Sequence, residues 1–541
     1  MSETRLVETI QDKCRVCYTC VRECPAKAIR ISGGQAEVIT DRCIGCGNCV
    51  KVCTRGAKKA VGSTTKVLEI LRGKQKTAAI IAPSFPAEFA GVPTEKVVGT
   101  IRAMGFDYVC EVAFGADLVA REYRRLLRKN PDRRYIAVSC PAIVNYVEKY
   151  LPEMVPNLAP IVSPMVAEAM VVKHLYGEDV KIVFIGPCLA KRAEAEDFQG
   201  SHVDASVTFA ELRNIVSIMG IDPEKVQGSD FNPPTPGLGS LFPINRGMLQ
   251  AADMNEDLLS GEIVTADGRE EFVEALKEFE SGDMEARLLE ILCCEGCIMG
   301  PGMTSKAPLF RRRAKVSKYA RESLDKINFN SWNVVMDRCS GIDLKRTFAP
   351  SDMRLKAPSE TEITRIMERM GKFTLEDELN CGACGYDTCR NHAIAIYKGL
   401  AESEMCLPYS IEQLKNTVEE LAETSDELAG ARVALKHAEK MAGMGQLAAG
   451  IAHEVNNPLG VVLMYAHTLL EENPGNPELG EDLKTIALHA DRCKKIVAGL
   501  LDFARQNKVT RTEVDVPDLM RRTIGPMKRP EGSGWNSFPR T

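Results

Sequence analysis

Cysteine is the residue type whose number and spacing first point to chemistry in this chain. The 541 residues include 20 cysteines, and sixteen of them fall in four groups of four. In a small secreted domain such numbers would predict disulfides, but these cysteines lie in Cys-x-x-Cys clusters, and the N-terminus lacks the apolar core of a signal peptide. We therefore expect reduced thiols that bind metal. The cysteines outside the groups, interpreted as small buried apolar side chains, are Cys110, Cys293, Cys339 and Cys493.

The first two groups share the spacing Cys-x2-Cys-x2-Cys-x3-Cys, at residues 14–24 and 43–53. Three thiolates this close can wrap one face of a cubane, and the fourth reaches the neighbouring cluster, as in bacterial ferredoxins. Zinc is the alternative, but zinc sites use two separate Cys-x-x-Cys pairs rather than three adjacent thiolates. We therefore predict a ferredoxin-like module with two [4Fe–4S] clusters at residues 1–60. The expected ligand sets are Cys14, Cys17, Cys20 and Cys53 for one cluster, and Cys43, Cys46, Cys49 and Cys24 for the other.

Beyond this module the sequence changes to short apolar runs separated by helical stretches. The runs interpreted as buried strands of an α/β unit are residues 77–83, 134–140 and 181–188. Because ligands bind beyond the carboxyl ends of strands in open α/β sheets, Cys140 and Cys188 lie where a cofactor would bind. A Gly-rich loop at 292–302 adds Cys294 and Cys297. Four thiolates on three loops predict another cluster site.

These loops resemble the signature loops of the iron-only hydrogenase large subunit. The matching stretches are SCP at 139–141, GPCLAKRAE at 186–194 and CEGCIMGPG at 294–302, with FDYVCEVAFGADL at 106–118 upstream. The resemblance covers about residues 76–355 and implies a [4Fe–4S] cluster held by Cys140, Cys188, Cys294 and Cys297. It also implies a di-iron unit attached through Cys297. Lys191 would donate a hydrogen bond to a diatomic ligand of that unit, and Glu194 matches the acidic position of the second loop. The alternative for both is a solvated charge on a helix face.

Several positions depart from the pattern of that family. Ser139 stands where a catalytic hydrogenase has a proton-donating cysteine, and a hydroxyl is too weak an acid for this role near neutral pH. Gly186 and Leu292 replace expected methionines, and Pro301 interrupts the glycines of the third loop. That loop also has Cys-x2-Cys in place of Cys-x3-Cys, unless Cys293 is the ligand. We therefore expect weak hydrogen turnover at most, as in the divergent, sensory-type branch of the family.

Another cysteine group lies at residues 360–410, with the spacing Cys-x2-Cys-x4-Cys-x16-Cys. It resembles a small [4Fe–4S] domain found in electron-bifurcating and corrinoid-linked proteins, and zinc is the alternative. We expect His392 to lie on a helix surface rather than to bind metal. The expected ligands are Cys381, Cys384, Cys389 and Cys406.

The chain beyond Pro408 is predicted to be almost purely helical. At 411–440 apolar residues recur at alternating spacings of three and four, interrupted by Ser425 and Arg432, which predicts a coiled-coil linker. The apolar positions are Ile411, Leu414, Val418, Leu421, Leu428 and Leu435. Residues 441–508 predict an antiparallel helical hairpin. Two hairpins would pair into a four-helix bundle, so we expect a homodimer.

The stretch HEVNNPL at 453–459 resembles the H-box of sensor histidine kinases. An exposed His453 would attack the γ-phosphate of ATP, Glu454 would accept the imidazole proton, and Pro458 would bend the helix by removing a backbone donor. The resemblance implies a response regulator as partner. Residues 509–541 show no Gly-rich nucleotide loop and are few for an ATP-binding domain. We therefore expect either a truncated chain or a separate kinase ATP-binding domain.

Composition limits the remaining functional classes. A net charge of −5 gives no electrostatic basis for binding nucleic acid or an anionic membrane surface. No apolar run approaches the roughly 18 residues that a membrane span requires. We therefore expect a cytoplasmic protein without a membrane or nucleic-acid partner.

Together these patterns predict a multidomain chain that mixes α+β and α/β architecture. A ferredoxin-like module, a hydrogenase-like α/β domain and a small Fe–S domain precede the coiled coil and the antiparallel hairpin. We interpret it as a redox or hydrogen sensor with about four [4Fe–4S] clusters, histidine-kinase-like but without its own ATP-binding domain. Two alternatives stay open. One is an iron-only hydrogenase that exchanges electrons with a ferredoxin-type partner, and the other is an iron–sulfur electron-transfer scaffold without a di-iron unit.

Overall fold

The computed structural model describes residues 4–472, 474, 477–505, 515–517 and 520. The chain divides into two compact units, residues 1–412 and residues 413–541. Most of the tail predicted at 509–541, and part of the predicted turn between the hairpin helices, lie outside the described residues. Within the described ranges, no helix is long and apolar enough to cross a membrane.

The N-terminal module (residues 1–60) is built from short elements between its cysteine loops. In chain order they are β1 (Val7–Thr9), α1 (Thr19–Arg22), β2 (Ile29–Ser32), β3 (Gln35–Val38), α2 (Asn48–Val52) and β4 (Lys58–Ala60). Strand β1 pairs antiparallel with β4, and β2 pairs antiparallel with β3. Each helix carries one cysteine, and α1 packs against α2. This contact brings the two cysteine segments side by side.

The following region contains two parallel sheets with helices around them. Its first elements are α3 (Thr64–Arg72), β5 (Thr77–Ile81), α4 (Phe85–Glu88), α5 (Thr94–Ala103), β6 (Tyr108–Glu111), α6 (Val112–Lys129), β7 (Tyr135–Ile136), α7 (Pro141–Tyr150), α8 (Pro164–Tyr176), β8 (Lys181–Gly186), α9 (Ala190–Asp197), β9 (Ala205–Thr208) and α10 (Phe209–Ile218). Its last elements are α11 (Gly247–Ala251), β10 (Ile263–Asp267), α12 (Glu271–Ser281), β11 (Leu288–Leu292), α13 (Leu309–Leu324) and α14 (Phe329–Arg338).

The three predicted strands are divided between these two sheets. Strands β5 and β8 are neighbours in a four-stranded sheet of order β6-β5-β8-β9, whereas β7 is the edge strand of a three-stranded sheet of order β10-β11-β7. Every residue of β5 and β11 is buried, as expected for parallel strands covered on both faces. Strand β7 is shorter than the predicted 134–140, because the Val138 N–H donates to the Tyr123 hydroxyl instead of a strand.

The small domain at 360–410 is a pair of capped helices, α15 (Glu360–Arg369) and α16 (Cys389–Tyr397). Thr388 caps α16 by accepting the backbone N–H of Asn391, and Ser359 forms a capping box with α15. Apolar residues of α15 pack on α16 in a small core of their own: Ile363, Ile366, Met367, Met370, Ala393 and Cys406.

Two long helices complete the described chain, α17 (Leu407–Glu472) and α18 (Pro477–Arg505). The coiled-coil linker and the first hairpin helix, predicted as consecutive segments, form one uninterrupted helix that continues through Pro458. The apolar residues that predict a coiled coil are exposed in the single chain: Ile411, Leu414, Val418, Leu421, Leu428 and Leu435.

Candidate metal centres and phospho-acceptor site

The N-terminal module groups its eight clustered cysteines into two mixed quartets. The thiols of the first quartet, which lie within electrostatic reach of Cys20, are Cys14, Cys17 and Cys53. The thiols of the second quartet are Cys24, Cys43, Cys46 and Cys49. In each quartet, three thiols come from one segment and the fourth comes from the other. This is the grouping that two cubanes with exchanged fourth ligands require.

Burial makes several of these thiols difficult to ionise without a positive partner. It raises the pKa of Cys24 to about 12 and that of Cys43 to about 11, and neighbouring thiols add to both shifts. Backbone donors nevertheless point at the sulfurs: the Ala28 N–H lies 3.3 Å from Cys24 Sγ, and the Ala57 N–H lies 3.2 Å from Cys53 Sγ. Buried sulfurs with N–H donors and close thiol neighbours fit a cationic iron–sulfur core.

A single metal ion fits these cysteines less well. A zinc ion requires four donors at about 2.0–2.3 Å from one point. Among the residues that the structure describes, no three His, Cys, Asp or Glu side chains converge in that way.

The hydrogenase-like site forms where strands of both sheets end. Cys140 caps the N-terminus of α7 after β7, and Cys188 follows β8 in the other sheet. Cys294 and Cys297 follow β11. Cys294 lies within electrostatic reach of the other three thiols, and burial is the main reason that its pKa is raised well above the ordinary value. The two sheets therefore direct all four thiols to one place.

Gly296 allows the third loop to bring two thiols so close together. Its φ is +74°, and a Cβ on this residue would lie 2.7 Å from the Pro243 carbonyl oxygen. Neither the backbone conformation nor the space suits a larger residue.

A cavity of about 60 Å³ adjoins this quartet. Cys188, Cys297, Lys191 and Ser139 line part of it, and apolar side chains such as Phe242 line most of the rest. One water needs about 10–15 Å³ of such space, so the cavity has room for a group of several atoms. The space beside Cys297 and the single cationic side chain at its wall fit a small anionic, ligated metal unit.

Lys191 is held in place by a buried charge network. Its Nζ lies 2.8 Å from Glu194 Oε2, which also accepts a hydrogen bond from Ser163 at 2.9 Å. Arg346 donates to the other oxygen of Glu194. Burial would raise the pKa of Glu194, but the charges of Lys191 and Arg346 and the hydrogen bonds lower it below its ordinary value. The two charges are therefore not a solvated helix face.

Ser139 lies at the cavity wall beside two side chains that the sequence analysis missed. Its Oγ lies 3.9 Å from Met248 Sδ, and the fully buried hydroxyl of Tyr123 accepts the backbone N–H of the preceding residue, Val138, at 2.8 Å. Tyr123 follows the FDYVCEVAFGADL stretch by five positions, and this proximity is the one signal that could have indicated it. Met248 carries no such signal.

Cys293 lies between two thiol quartets. It is buried, as predicted, and its interaction with the thiol of Cys46 of the N-terminal module lowers the pKa of Cys46 and raises that of Cys293. Both residues line a second cavity, of about 370 Å³, together with Cys294. The largest interaction of Cys293 is with Cys46, whereas the largest interactions of Cys294 with other thiols are those with Cys188 and Cys140.

The remaining unassigned cysteines differ in burial. Cys110 and Cys339 are buried, as predicted. Cys493 is exposed on α18, so its interpretation as a buried apolar residue is wrong for the single chain.

The small domain surrounds one cavity with four thiols. Its wall includes Cys381, Cys384, Cys389 and Cys406. Cys384 lies within electrostatic reach of Cys381 and Cys406, and burial is the main reason that its pKa is raised. Cys406 is the residue immediately before α17.

His392 also lines this cavity, which corrects its prediction as a helix-surface residue. It is 1% exposed, and its Nε2 lies 3.1 Å from the Glu402 carbonyl oxygen. Its ring stacks on Tyr386 at a centroid distance of 5.5 Å. Burial lowers its pKa to about 4, so the imidazole is neutral. The periodicity of the short α16 does not show that the following residues fold back over this face.

His453 and Glu454 are both exposed on α17, as attack on a phosphate requires. Pro458 lies about one turn further along the same helix. The imidazole is thus free to meet a second protein or a nucleotide.

Comparison with protein families assigns a description to four segments. Residues 75–301 match the iron-only hydrogenase large subunit, C-terminal domain, and residues 6–54 match the 4Fe-4S dicluster domain. Residues 377–408 match an Fe–S cluster family. Residues 444–508 match the His Kinase A (phospho-acceptor) domain.

Individual relatives match parts of the chain. The sensor histidine kinase ZraS of Salmonella typhimurium is 34% identical over 91 residues, which are 17% of this chain and 20% of that protein. Iron hydrogenase 1 of Clostridium pasteurianum is 26% identical over 193 residues, which are 32% of this chain and 34% of that protein. The chain thus spans about a fifth to a third of the length of these curated relatives.

Solved structures of [FeFe]-hydrogenases also align. The apo [FeFe]-hydrogenase HydA1 from Chlamydomonas reinhardtii aligns over 54% of this chain and 99% of its own, with 16% identity and a TM-score of 0.45. The family matches agree with the thiol sites and the exposed histidine. The chain therefore combines segments that match the iron-only hydrogenase large subunit and iron–sulfur cluster families with a segment that matches the histidine-kinase phospho-acceptor domain.

Proposed function

We propose that this protein is an iron–sulfur redox or hydrogen sensor that signals through phosphorylation of His453. The observation that carries the proposal is the position of Cys406. This buried thiol belongs to a quartet that lines one cavity, and it directly precedes α17, the helix that exposes His453. A change at the quartet can therefore act on the helix that bears the phospho-acceptor.

Four [4Fe–4S] clusters are proposed for the four thiol quartets. Two are held at residues 1–60, one by the hydrogenase-like domain at 76–355 and one by the domain at 360–410. In the third quartet, Cys294 rather than Cys293 is the proposed ligand, because Cys294 faces the other thiols. The proposed ligands are Cys14, Cys17, Cys20 and Cys53; Cys24, Cys43, Cys46 and Cys49; Cys140, Cys188, Cys294 and Cys297; and Cys381, Cys384, Cys389 and Cys406.

A di-iron unit is proposed in the cavity beside Cys297. When bound, such a unit would supply the chemistry of hydrogen binding and cleavage. Cys297 would hold it, and Lys191, oriented by Glu194, would donate a hydrogen bond to an anionic ligand at the cavity wall. The apolar wall excludes water. Ser139 would be the proton donor, and the weak acidity of its hydroxyl would keep hydrogen turnover slow.

The signalling half is proposed to work as a phosphorelay. An imidazole nitrogen of His453 attacks the γ-phosphorus of ATP, the bond from that phosphorus to the β,γ-bridging oxygen breaks so that ADP leaves, and Glu454 accepts the imidazole proton. The apolar stripe of α17, exposed in the single chain, would be covered by a second copy, giving a homodimer. The proposed partners are a kinase ATP-binding domain and a response regulator that accepts the phosphoryl group.

A hydrogenase with an electron-transfer partner is the second candidate. The cavity beside Cys297 and the orientation of Lys191 favour it. Ser139 opposes it, because the wall of the cavity offers a hydroxyl where a thiol would deliver protons faster. An iron–sulfur scaffold without a di-iron unit would share the same thiol quartet.

One experiment separates these functions. The anaerobically matured full chain is examined by infrared spectroscopy and is incubated with labelled ATP and a kinase ATP-binding domain, under hydrogen and under argon. The sensor predicts bands of iron-bound CO and CN, and label on His453 whose amount depends on the gas. Bands with fast turnover and gas-independent label would indicate the hydrogenase, and absence of the bands would indicate the scaffold.

A further inference from the structure

The small Fe–S domain is docked on the N-terminal module, although almost 300 residues of sequence separate them. Arg22 donates to the carbonyl oxygen of Ala383 at 3.2 Å, and Lys27 Nζ donates to that of Gly385 at 2.6 Å. Gly385, with a φ of +92°, approaches so closely that a Cβ would lie 2.9 Å from the Arg22 nitrogen. The loop that carries Cys384 therefore lies directly against α1.

A second set of contacts fixes the other end of the interface. The Ile31 N–H donates to the Leu400 carbonyl oxygen at 3.1 Å, and the Gly33 N–H donates to Glu402 Oε1 at 3.1 Å. Both sides also share one apolar core, formed by Val21, Ile29, Ile31, Ala36, Cys384, Tyr386, Ala395, Leu400, Ala401 and Met405. Backbone bonds together with a shared core indicate a permanent interface.

Tyr386 occupies the space between the two sets of thiols. Its side chain is 5% exposed, and its phenol lies within electrostatic reach of Cys384 on one side and Cys24 on the other. The Lys27 ammonium lies 5.9 Å from the ring centroid. The hydroxyl is buried without a hydrogen-bond partner, so the ring, rather than the hydroxyl, makes the contacts.

The quartet that contains Cys24 also touches the hydrogenase-like domain. Cys46 lines one cavity together with Cys293 and Cys294. Lys149 of α7 donates to the Cys43 carbonyl oxygen at 3.0 Å. The Cys24 quartet thus lies between the hydrogenase-like site and the small domain.

We propose that the N-terminal module is the electron relay from the hydrogenase-like site to the small domain, and that Arg22, Lys27 and Tyr386 hold the two proposed clusters close enough for this transfer. The proposal rests on the proposed function, because it assumes that the quartets hold clusters. One electron leaves the reduced cluster of the Cys24 quartet and enters the oxidised cluster of the Cys384 quartet, without a change in bonds or protons. The redox state of the cluster in the small domain, which Cys406 joins to α17, would then follow that of the hydrogenase-like site. The hydrogenase-like domain and the small domain are consecutive in sequence, whereas the relay between them is the module that precedes both.

The test compares interface variants of the full chain, reconstituted anaerobically with iron and sulfide. After partial reduction, electron paramagnetic resonance measures the magnetic interaction between the cluster of the small domain and those of the N-terminal module. Stopped-flow reduction with freeze-quenching measures when the cluster of the small domain gains its electron. Cys381→Ser with Cys384→Ser identifies the signal of that cluster.

Lys27→Glu and Tyr386→Leu should each retain iron content while losing the magnetic interaction and delaying arrival of the electron. Lys59→Glu, an exposed lysine of the same module on β4, is the control and should leave both unchanged. Tyr386→Phe should also leave both unchanged, because it retains the ring. Unaltered interaction and unaltered arrival in Lys27→Glu and in Tyr386→Leu would overturn the relay.

These measurements do not involve phosphate. An intact relay whose redox state leaves labelling of His453 unchanged would contradict the proposed function and not the relay. Failure of the small domain to bind iron in the unmodified chain would contradict both.

Discussion

The N-terminal thiol quartets and the hydrogenase-like quartet differ in how their geometry is produced. In the N-terminal module, three thiols of each quartet come from one segment of seven residues, and only one arrives from the other segment. In the hydrogenase-like domain, the thiols from Cys140 to Cys297 come from three loops that follow strands of two sheets. The first geometry is mainly local and the second is tertiary.

The groups around the thiols are likewise local in the N-terminal module and tertiary in the hydrogenase-like domain. Backbone N–H groups near Cys24 and Cys53 direct the sulfurs of the N-terminal quartets. The hydrogenase-like site depends on a buried ion network in which Glu194 pairs with Lys191 on the same helix and with Arg346, which lies 152 positions away in sequence. A tertiary site of this kind should be damaged by changes at positions that bind no metal.

The largest expected effect is the loss of one cluster when a tertiary ligand is removed. Cys294→Ser should lower the iron content of the reconstituted protein by about four per chain, the content of one [4Fe–4S] cluster. Cys293→Ser is the matched control and should retain the iron, because the largest interaction of Cys293 is with Cys46 and not with a thiol of this quartet. Iron analysis measures both, and the opposite result would exchange the roles of the two cysteines.

Glu194→Gln should destabilise the folded chain by about 3–5 kcal/mol at pH 7, the usual cost of breaking a buried ion pair. The folded-state pKa of Glu194 is lowered, so its contribution is complete above the ordinary value of about 4.3 and is lost as the pH falls through the folded pKa. The difference between the variant and the unmodified chain should therefore shrink below about pH 4. Urea unfolding at several pH values measures it.

Glu37→Gln is the control for this prediction, because Glu37 pairs with Arg30 on the surface. Its effect should stay within about 1 kcal/mol at each pH. Equal effects of the two substitutions would contradict the difference between local and tertiary sites.

Ser139→Cys should increase hydrogen evolution of the matured protein by about tenfold or more, because a thiol with a pKa near 8.5 delivers protons better than a hydroxyl. Gas chromatography measures the rate. Ser84→Cys tests specificity, since Ser84 lines the same cavity without adjoining a quartet cysteine. An equal gain in both variants, or no gain in Ser139→Cys, would show that proton supply through residue 139 does not limit the rate of hydrogen evolution.

The smallest expected effect on stability is that of His453→Gln. His453 is exposed, so the free energy of unfolding should change by no more than about 0.5 kcal/mol. Labelling by a supplied kinase ATP-binding domain should nevertheless disappear. His437→Gln, an exposed histidine on the same helix, should leave the label unchanged. Retained label in His453→Gln would place the phosphoryl group elsewhere.

The sequence by itself determined the structural features that depend on neighbouring residues along the chain. The spacing of 14–24 and 43–53 predicts the observed exchange of Cys24 and Cys53 between the quartets, because short loops leave few positions for a sulfur. The apolar runs predict β5 and β8 closely. The H-box stretch predicts an exposed His453 on a helix, since helical periodicity already places it away from apolar positions.

Only the tertiary structure decided the features that depend on distant partners. It placed β7 in a second sheet, brought Arg346 to Glu194 and turned Cys293 towards Cys46. It also buried His392, predicted on the surface, because the chain around Glu402 folds back over α16. Burial and charge pairing depend on which segments meet in space, and a local pattern of residues carries no record of a partner 150 positions away.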